Sequence, residues 1–333
     1  MPSYKDNIVI YHYMSINYIP VTEKIQIGQF ECPPDAKAVI LNSHLNHVYD
    51  LTSIPRCVEH ILFGDNFNQK IEKNILPAEL QSLVFGYNFN QKIEKDVFPA
   101  ELQSIVFGDK FNQKIEKDVL PVGLQSLVFG YCFNQEIEKD VLPAGLQSLV
   151  FGDNFNQKIE KDVLPTGLQS LAFGYYFNQK IEKNVLPAGL QSLVFCSIYD
   201  KPIEKDVLPA GLQSLKFSDN FNQKIEKDVL PTGLQSIYFG CQFNQLLDNI
   251  SNKTKLYICN IPSDITRNYT FYHHINSAIE KIKSENKFPG EIYTSEINSV
   301  KYYMIDVEIT KPDINKEKIK DLIRQLEIEL QLS

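Results

Sequence analysis

One period, 22 residues long, governs most of this 333-residue chain. Phe67, Phe89, Phe111, Phe133, Phe155, Phe177, Phe221 and Phe243 stand on a single arithmetic series, and Tyr199 fills its only gap. A second row at the same step runs from Phe63 through Phe85, Phe107, Phe129, Phe151, Phe173, Phe195 and Phe217 to Phe239. Prolines keep the beat from Pro77 to Pro231, so residues 67–242 are uninterrupted copies. A unit this short cannot bury its own apolar side, and stacking on its neighbours is the one way to close a core.

Worn copies precede the clear ones. Pro55 and Pro33 continue the proline series, and Val58, Ile61 and Phe63 stand where Leu80, Leu83 and Phe85 stand one unit later. Units 23–44 and 45–66 are therefore expected to begin the array. Phe243-Asn244-Gln245 opens a further copy that reaches Leu256-Tyr257-Ile258 about three residues early, a shortened last coil. The chain thus divides into an N-terminal segment 1–22, a solenoid 23–259 and a C-terminal unit 260–333.

Within a unit, Leu80-Gln81-Ser82-Leu83-Val84-Phe85 alternates as a strand does, with Leu83 and Phe85 on one side and Ser82 and Val84 on the other. Gly86 reads as a turn residue. Phe67, Ile71 and Ile75 have helical spacing, but Pro77 restricts that half to turns or a short 3₁₀ piece. Equivalent strands should pair in parallel at about 4.8 Å, giving roughly 50 Å for ten coils.

Leu80-x-x-Leu83-x-Phe85-x-x-Asn88 resembles the core of leucine-rich repeats. The Phe-Asn opening, the Ile four residues after the Phe and the Leu-Pro pair more specifically resemble FNIP repeats. That resemblance implies a leucine-rich-repeat-like solenoid with a parallel sheet and short turns or 3₁₀ pieces on its convex side. It also implies a protein-interaction role and a kinship with proteins of social amoebae and giant viruses of amoebae. Viral members often carry an N-terminal F-box; residues 1–22 lack its Leu-Pro-rich helical opening.

Composition narrows the partner class. Asp plus Glu exceed Lys plus Arg by 41 to 33, for a net charge of −8, which argues against nucleic acid. There is no run of 18 apolar residues to span a membrane. The opening Met1-Pro2-Ser3-Tyr4-Lys5-Asp6-Asn7 has no apolar leader core, so an intracellular, cytoplasmic protein is expected. Cys32, Cys57, Cys132, Cys196, Cys241 and Cys259 are widely spaced, which disfavours disulfides and metal sites. His273-His274 has no acidic or Cys partner at ligand spacing. No phosphate loop, nucleophile elbow or catalytic carboxylate pair stands out, so neither an enzyme nor a cofactor is expected.

Two rows attract attention. Asn68, Asn90, Asn112, Asn134, Asn156, Asn178, Asn222 and Asn244 recur in the turn of each coil. They are expected to form a structural ladder that satisfies backbone groups of adjacent coils. The outward strand positions Val106, Val128, Val150, Lys216 and Tyr238 belong to a mostly apolar stripe. Beside it Asp65, Tyr87, Asp109, Tyr131, Asp153 and Tyr175 alternate. An apolar stripe flanked by Tyr marks a protein-binding face, so Val106, Val128, Val150, Tyr87, Tyr131, Tyr175, Lys216 and Tyr238 are the candidate contacts. Lys70, Glu72, Lys73 and their equivalents read as a solvated charged face.

After residue 260 the period ends. Helices over Asn276–Lys287 and from Asp313 onward, with strands over Glu291–Ile297 and Lys301–Ile309, would make a small α+β unit. It reads as a cap or binding module. A separate enzymatic or adaptor activity there, or a plain structural spacer, is the rival reading.

Overall fold

The computed structural model describes residues 38–41, 51–240, 242–245, 250, 254–260, 292–297 and 300–305. Expectations for residues 1–22 and for both C-terminal helices lie outside them. Strands β1 (Ala38–Leu41) and β2 (His60–Phe63) are followed by three-residue strands at the 22-residue step: β3 (Ser82–Val84), β4 (Ser104–Val106), β5 (Ser126–Val128), β6 (Ser148–Val150), β7 (Ser170–Ala172), β8 (Ser192–Val194) and β9 (Ser214–Lys216). Then come β10 (Ser236–Phe239), β11 (Lys255–Asn260), β12 (Ile292–Ile297) and β13 (Val300–Ile305).

β1 to β11 form a parallel sheet in sequence order, a β-solenoid. Ala38 faces His60 and Val84 faces Val106, each one period on. Tyr238 faces Tyr257, a step three residues short. The sheet then changes direction, because β13 lies antiparallel on β11 and β12 antiparallel on β13. Of the strands expected at 291–297 and 301–309, the described parts, 292–297 and 300–305, continue the solenoid's own sheet.

Each coil closes on the same apolar set. In the unit beginning at Phe111, Phe111, Ile115, Val119, Leu120, Leu124, Leu127 and Phe129 are all buried. The two Phe rows face each other: the Phe129 and Phe133 rings lie 3.7 Å apart with planes 10° from parallel. Along a row the next ring is 5.8 Å away, as from Phe129 to Phe151. Every ring except the outermost is therefore flanked on several sides by others, and aromatic pairs add to simple burial. Tyr199 takes its place in the row, 3.9 Å from Phe195.

Opposite the strands the chain turns without winding. Among the described residues the 3₁₀ piece is Leu51–Ser53; the regular coils have isolated turns and bends joined by backbone in no regular helix or strand. One of those turns needs a left-handed residue. Asn74, Asp96, Asp118, Asp140, Asp162, Asn184, Asp206 and Asp228 all have φ between 61° and 66°. Asn and Asp tolerate that conformation better than other residues with a Cβ, which explains why this column holds nothing else.

The turn after each strand obeys a different constraint. A Cβ placed on Gly152 would sit 1.8 Å from the Gly130 carbonyl oxygen of the coil before, so this glycine is required by close approach. The column breaks at Cys196 and Ser218. There the amide of Ile198 lies 3.4 Å from the Tyr175 carbonyl, against 2.9 Å for Asn154 to Tyr131 two coils earlier. A side chain at 196 thus loosens the junction of neighbouring coils.

Candidate protein-interaction surface

The strand face away from the core carries Ser104, Val106 and their equivalents. Leu83, Leu127 and Leu149 are fully buried, while Ser82, Val84, Ser126, Val106 and Val128 are half-buried on the opposite side, as strand alternation requires. Lys216 is exposed on that face. Tyr238 is half-buried, its ring 4.2 Å from Tyr257 and nearly parallel to it.

The central stripe departs from the expected open surface. Val150 keeps only 5% of its exposure and Ala172 none, so these two outward positions are closed to solvent. They belong to coils where three tyrosines gather. Tyr131, Tyr175 and Tyr176 are 45%, 44% and 44% exposed. Tyr175 meets Tyr176 edge-on at 4.8 Å, and Tyr176 also acts on the Tyr131 phenol two coils back. Tyr176 above all, with burial and the Asp153 carboxylate, raises the Tyr131 phenol above its ordinary pKa. Tyr176 lies off the alternating column, and only the folded turn brings it in.

Tyr87, the next aromatic back along the column, is half exposed and has the Lys110 ammonium 5.3 Å from its ring centre. Two aspartates of the column also bond the backbone: Asp65 Oδ1 accepts from the Tyr87 amide at 3.4 Å and Asp153 Oδ1 from the Tyr175 amide at 3.3 Å.

The Asn row lies elsewhere, on a turn between strand and charged face. Asn68 Oδ1 accepts from the Asn90 amide, Asn90 from Asn112, Asn112 from Asn134, Asn134 from Asn156, and Asn156 from Asn178, each at 2.9–3.0 Å. Asn222 Oδ1 accepts from the Asn244 amide at 3.0 Å. Gln side chains of the following coil add a second donor, as Gln157 Nε2 does to Asn134 Oδ1 at 3.0 Å. These side chains are engaged within the fold.

The charged face binds coil to coil. Lys95 pairs with Asp118 at 2.9 Å and Lys117 with Asp140 at 3.1 Å, both pairs solvent-exposed. Sequence reasoning had the Lys and Glu rows but not this Asp partner one unit on. Beside it runs a groove of about 610 Å³ lined by Val119, Leu120, Val122, Leu142, Pro143 and Pro165, among others. Its carboxylates Asp118 and Asp140 are held by Lys95 and Lys117, and no nucleophile–base pair converges there. Among the described residues no cluster fit for a metal ion occurs and no disulfide joins Cys57, Cys132 and Cys196. Among the described residues no helix is long and apolar enough to cross a membrane. His273-His274 lies outside the described residues.

Coils that share a parallel sheet, two buried rows of ring and aliphatic side chains and an Asn ladder define a leucine-rich-repeat-like solenoid. FNIP repeat models match residues 46–88, 89–132, 133–176, 155–197, 177–220, 199–242 and 221–251, and the chain belongs to the FNIP repeat family. Among solved structures it is similar to the giant-virus protein CroV588, described as a novel circular LRR protein structure. Identity is 40% and the TM-score 0.66, over 70% of this chain and 35% of the other. The chain therefore spans about a third of that relative's length. No curated protein matches it.

Proposed function

We propose that the chain is a non-enzymatic interaction module that binds a protein partner through the strand face of its solenoid. The observation that carries this reading is the cluster of Tyr131, Tyr175 and Tyr176, large aromatic groups left nearly half exposed beside an apolar stripe. Tyr is enriched at interfaces because it offers broad contact area and a hydrogen-bonding tip. Repeat solenoids present extended faces of this kind to partners.

The test is affinity capture from the native cell by the whole chain and by its Val106→Glu/Val128→Glu variant. These two positions are chosen because they are half open, whereas a charge at Val150 would be buried. The variant should melt like the wild type and lose the partner. Undiminished capture by the folded variant removes the strand face as the binding site.

A further inference from the structure

Tyr87, Asp109, Tyr131, Asp153 and Tyr175 occupy one column in five successive coils, so each carboxylate stands between two aromatic side chains. Their surroundings differ in one respect. At the first box, Lys110, next to Asp109, lays its ammonium 5.3 Å from the Tyr87 ring centre, within cation–π range. At the second box the residue in the place of Lys110 is Asn154. Asp153 is half-buried, bonds the Tyr175 amide and makes no ion pair among the described residues. Its negative charge is felt by the Tyr131 phenol. The chain thus lays its own cation on the aromatic member of the first box, with no ion pair to Asp109 among the described residues, and places none at the equivalent box, which Tyr176 enlarges.

We propose that the Tyr131–Asp153–Tyr175 box receives a Lys or Arg side chain of an extended basic segment in the protein partner. This rests on the strand-face reading and gives the partner its chemistry. A carboxylate between aromatic faces offers a cation both a charged acceptor and π surface, and the net charge of −8 attracts such a segment at long range. Boxes recur every second coil, roughly 9.6 Å at about 4.8 Å per strand. An extended polyproline-type chain advances about 9.3 Å in three residues. The open box takes one basic residue of such a segment, and a second one three residues away reaches the Tyr87–Asp109–Tyr131 box, where it shares Tyr87 with Lys110.

The experiment uses the full chain and a fluorescent peptide of repeated Lys-Pro-Pro triplets, with a Gln-Pro-Pro peptide as control, in fluorescence anisotropy at low salt. The Lys peptide should bind and the Gln peptide should not. Asp153→Asn, the double change Tyr131→Leu/Tyr175→Leu, and Asn154→Lys, which supplies a resident cation, should each weaken it roughly tenfold, the scale of one charge-assisted contact. Asp219→Asn, outside the box, should leave affinity unchanged, and melting curves should coincide. No binding of the Lys peptide, or equal losses for Asp219→Asn and Asp153→Asn, overturns the proposal, the second outcome meaning diffuse attraction to an acidic surface. If the peptide fails while Val106→Glu/Val128→Glu still abolishes capture, the strand face stands and the cation box falls. If capture is also unaffected, both fall.

Discussion

The amide of Asp200 donates to Asn178 Oδ1 at 3.1 Å, and Asp200 Oδ1 accepts in turn from the Asn222 amide at 2.9 Å. The one deviant residue in the Asn row therefore keeps the bond, because the row needs a side-chain acceptor at that reach and Asp supplies the same oxygen. Gln223 also finds it, at 3.0 Å.

Removing that acceptor elsewhere should be costly. Asn134→Ala strands the Asn156 amide and leaves Gln157 Nε2 only the Asn134 carbonyl at 3.2 Å, and should lower stability by about 1–3 kcal/mol. Lys139→Ala, which ends an exposed pair with Asp162 at 3.7 Å, should cost no more than about 1 kcal/mol. Urea titrations of the two variants check the ranking; equal losses would contradict it.

The ring rows make a sharper demand. Phe151 is buried between Phe129 and Phe173 and faces Phe155 at 3.8 Å. Phe151→Ala should cost about 3–5 kcal/mol. A denaturation midpoint near that of the wild type would show that the rows do not hold the core.

Tyr199 offers a gain. Its hydroxyl is buried with no hydrogen-bond partner, and burial pushes its phenol pKa well up. Tyr199→Phe deletes an unsatisfied polar atom in a row otherwise made of Phe, and should stabilise by about 1 kcal/mol. A lowered melting temperature would mean that the hydroxyl is used.

Coil-to-coil ion pairs set an acid dependence. The hydrogen bond from Lys95, first of all, lowers the pKa of Asp118. A depressed carboxylate pKa means stabilisation present at neutral pH and lost as pH falls through the folded-state value. Lys95→Ala should therefore lower the melting temperature slightly at pH 7 and not at pH 2, and the difference should shrink in high salt. An effect that grows in acid would reverse the assignment.

Close approach can be tested at the glycine column. Gly152→Ala forces a Cβ onto the Gly130 carbonyl and should destabilise by about 1–3 kcal/mol, as overpacking does. Cys196→Gly should have the opposite local effect, slowing hydrogen exchange at the Ile198 amide, whose bond is stretched to 3.4 Å. Unchanged exchange would detach the stretch from the side chain at 196.

Strand positions, register and core rows were legible because the period places equivalent residues at equivalent heights, and Leu83, Phe85 and Phe89 could face only inward. The half-turn from Phe67 to Leu76 was not, since helical spacing and extended turns bury the same Phe and Ile. The left-handed column was readable in principle: Asp162 and Asn184 share one position, and this pair of types signals positive φ. Gly152 and Gly174 looked like turn glycines, yet the carbonyl they approach belongs to another coil. The closing of Val150 and the arrival of Tyr176 beside Tyr131 depend on side chains packing across coils, which a one-coil pattern does not encode.

The column alternates Asp and Tyr from Asp65 to Tyr175, and at two of its Asp-to-Tyr junctions, Asp65 to Tyr87 and Asp153 to Tyr175, the carboxylate reaches forward to the next coil's amide. Excising 22 residues from the middle of the array would keep every ring, Asn and glycine row in step, yet set Tyr beside Tyr or Asp beside Asp. Excising 44 would restore the alternation. An array of this kind can grow or shrink by recombination most smoothly in pairs of coils, and its inheritable unit is twice its structural one.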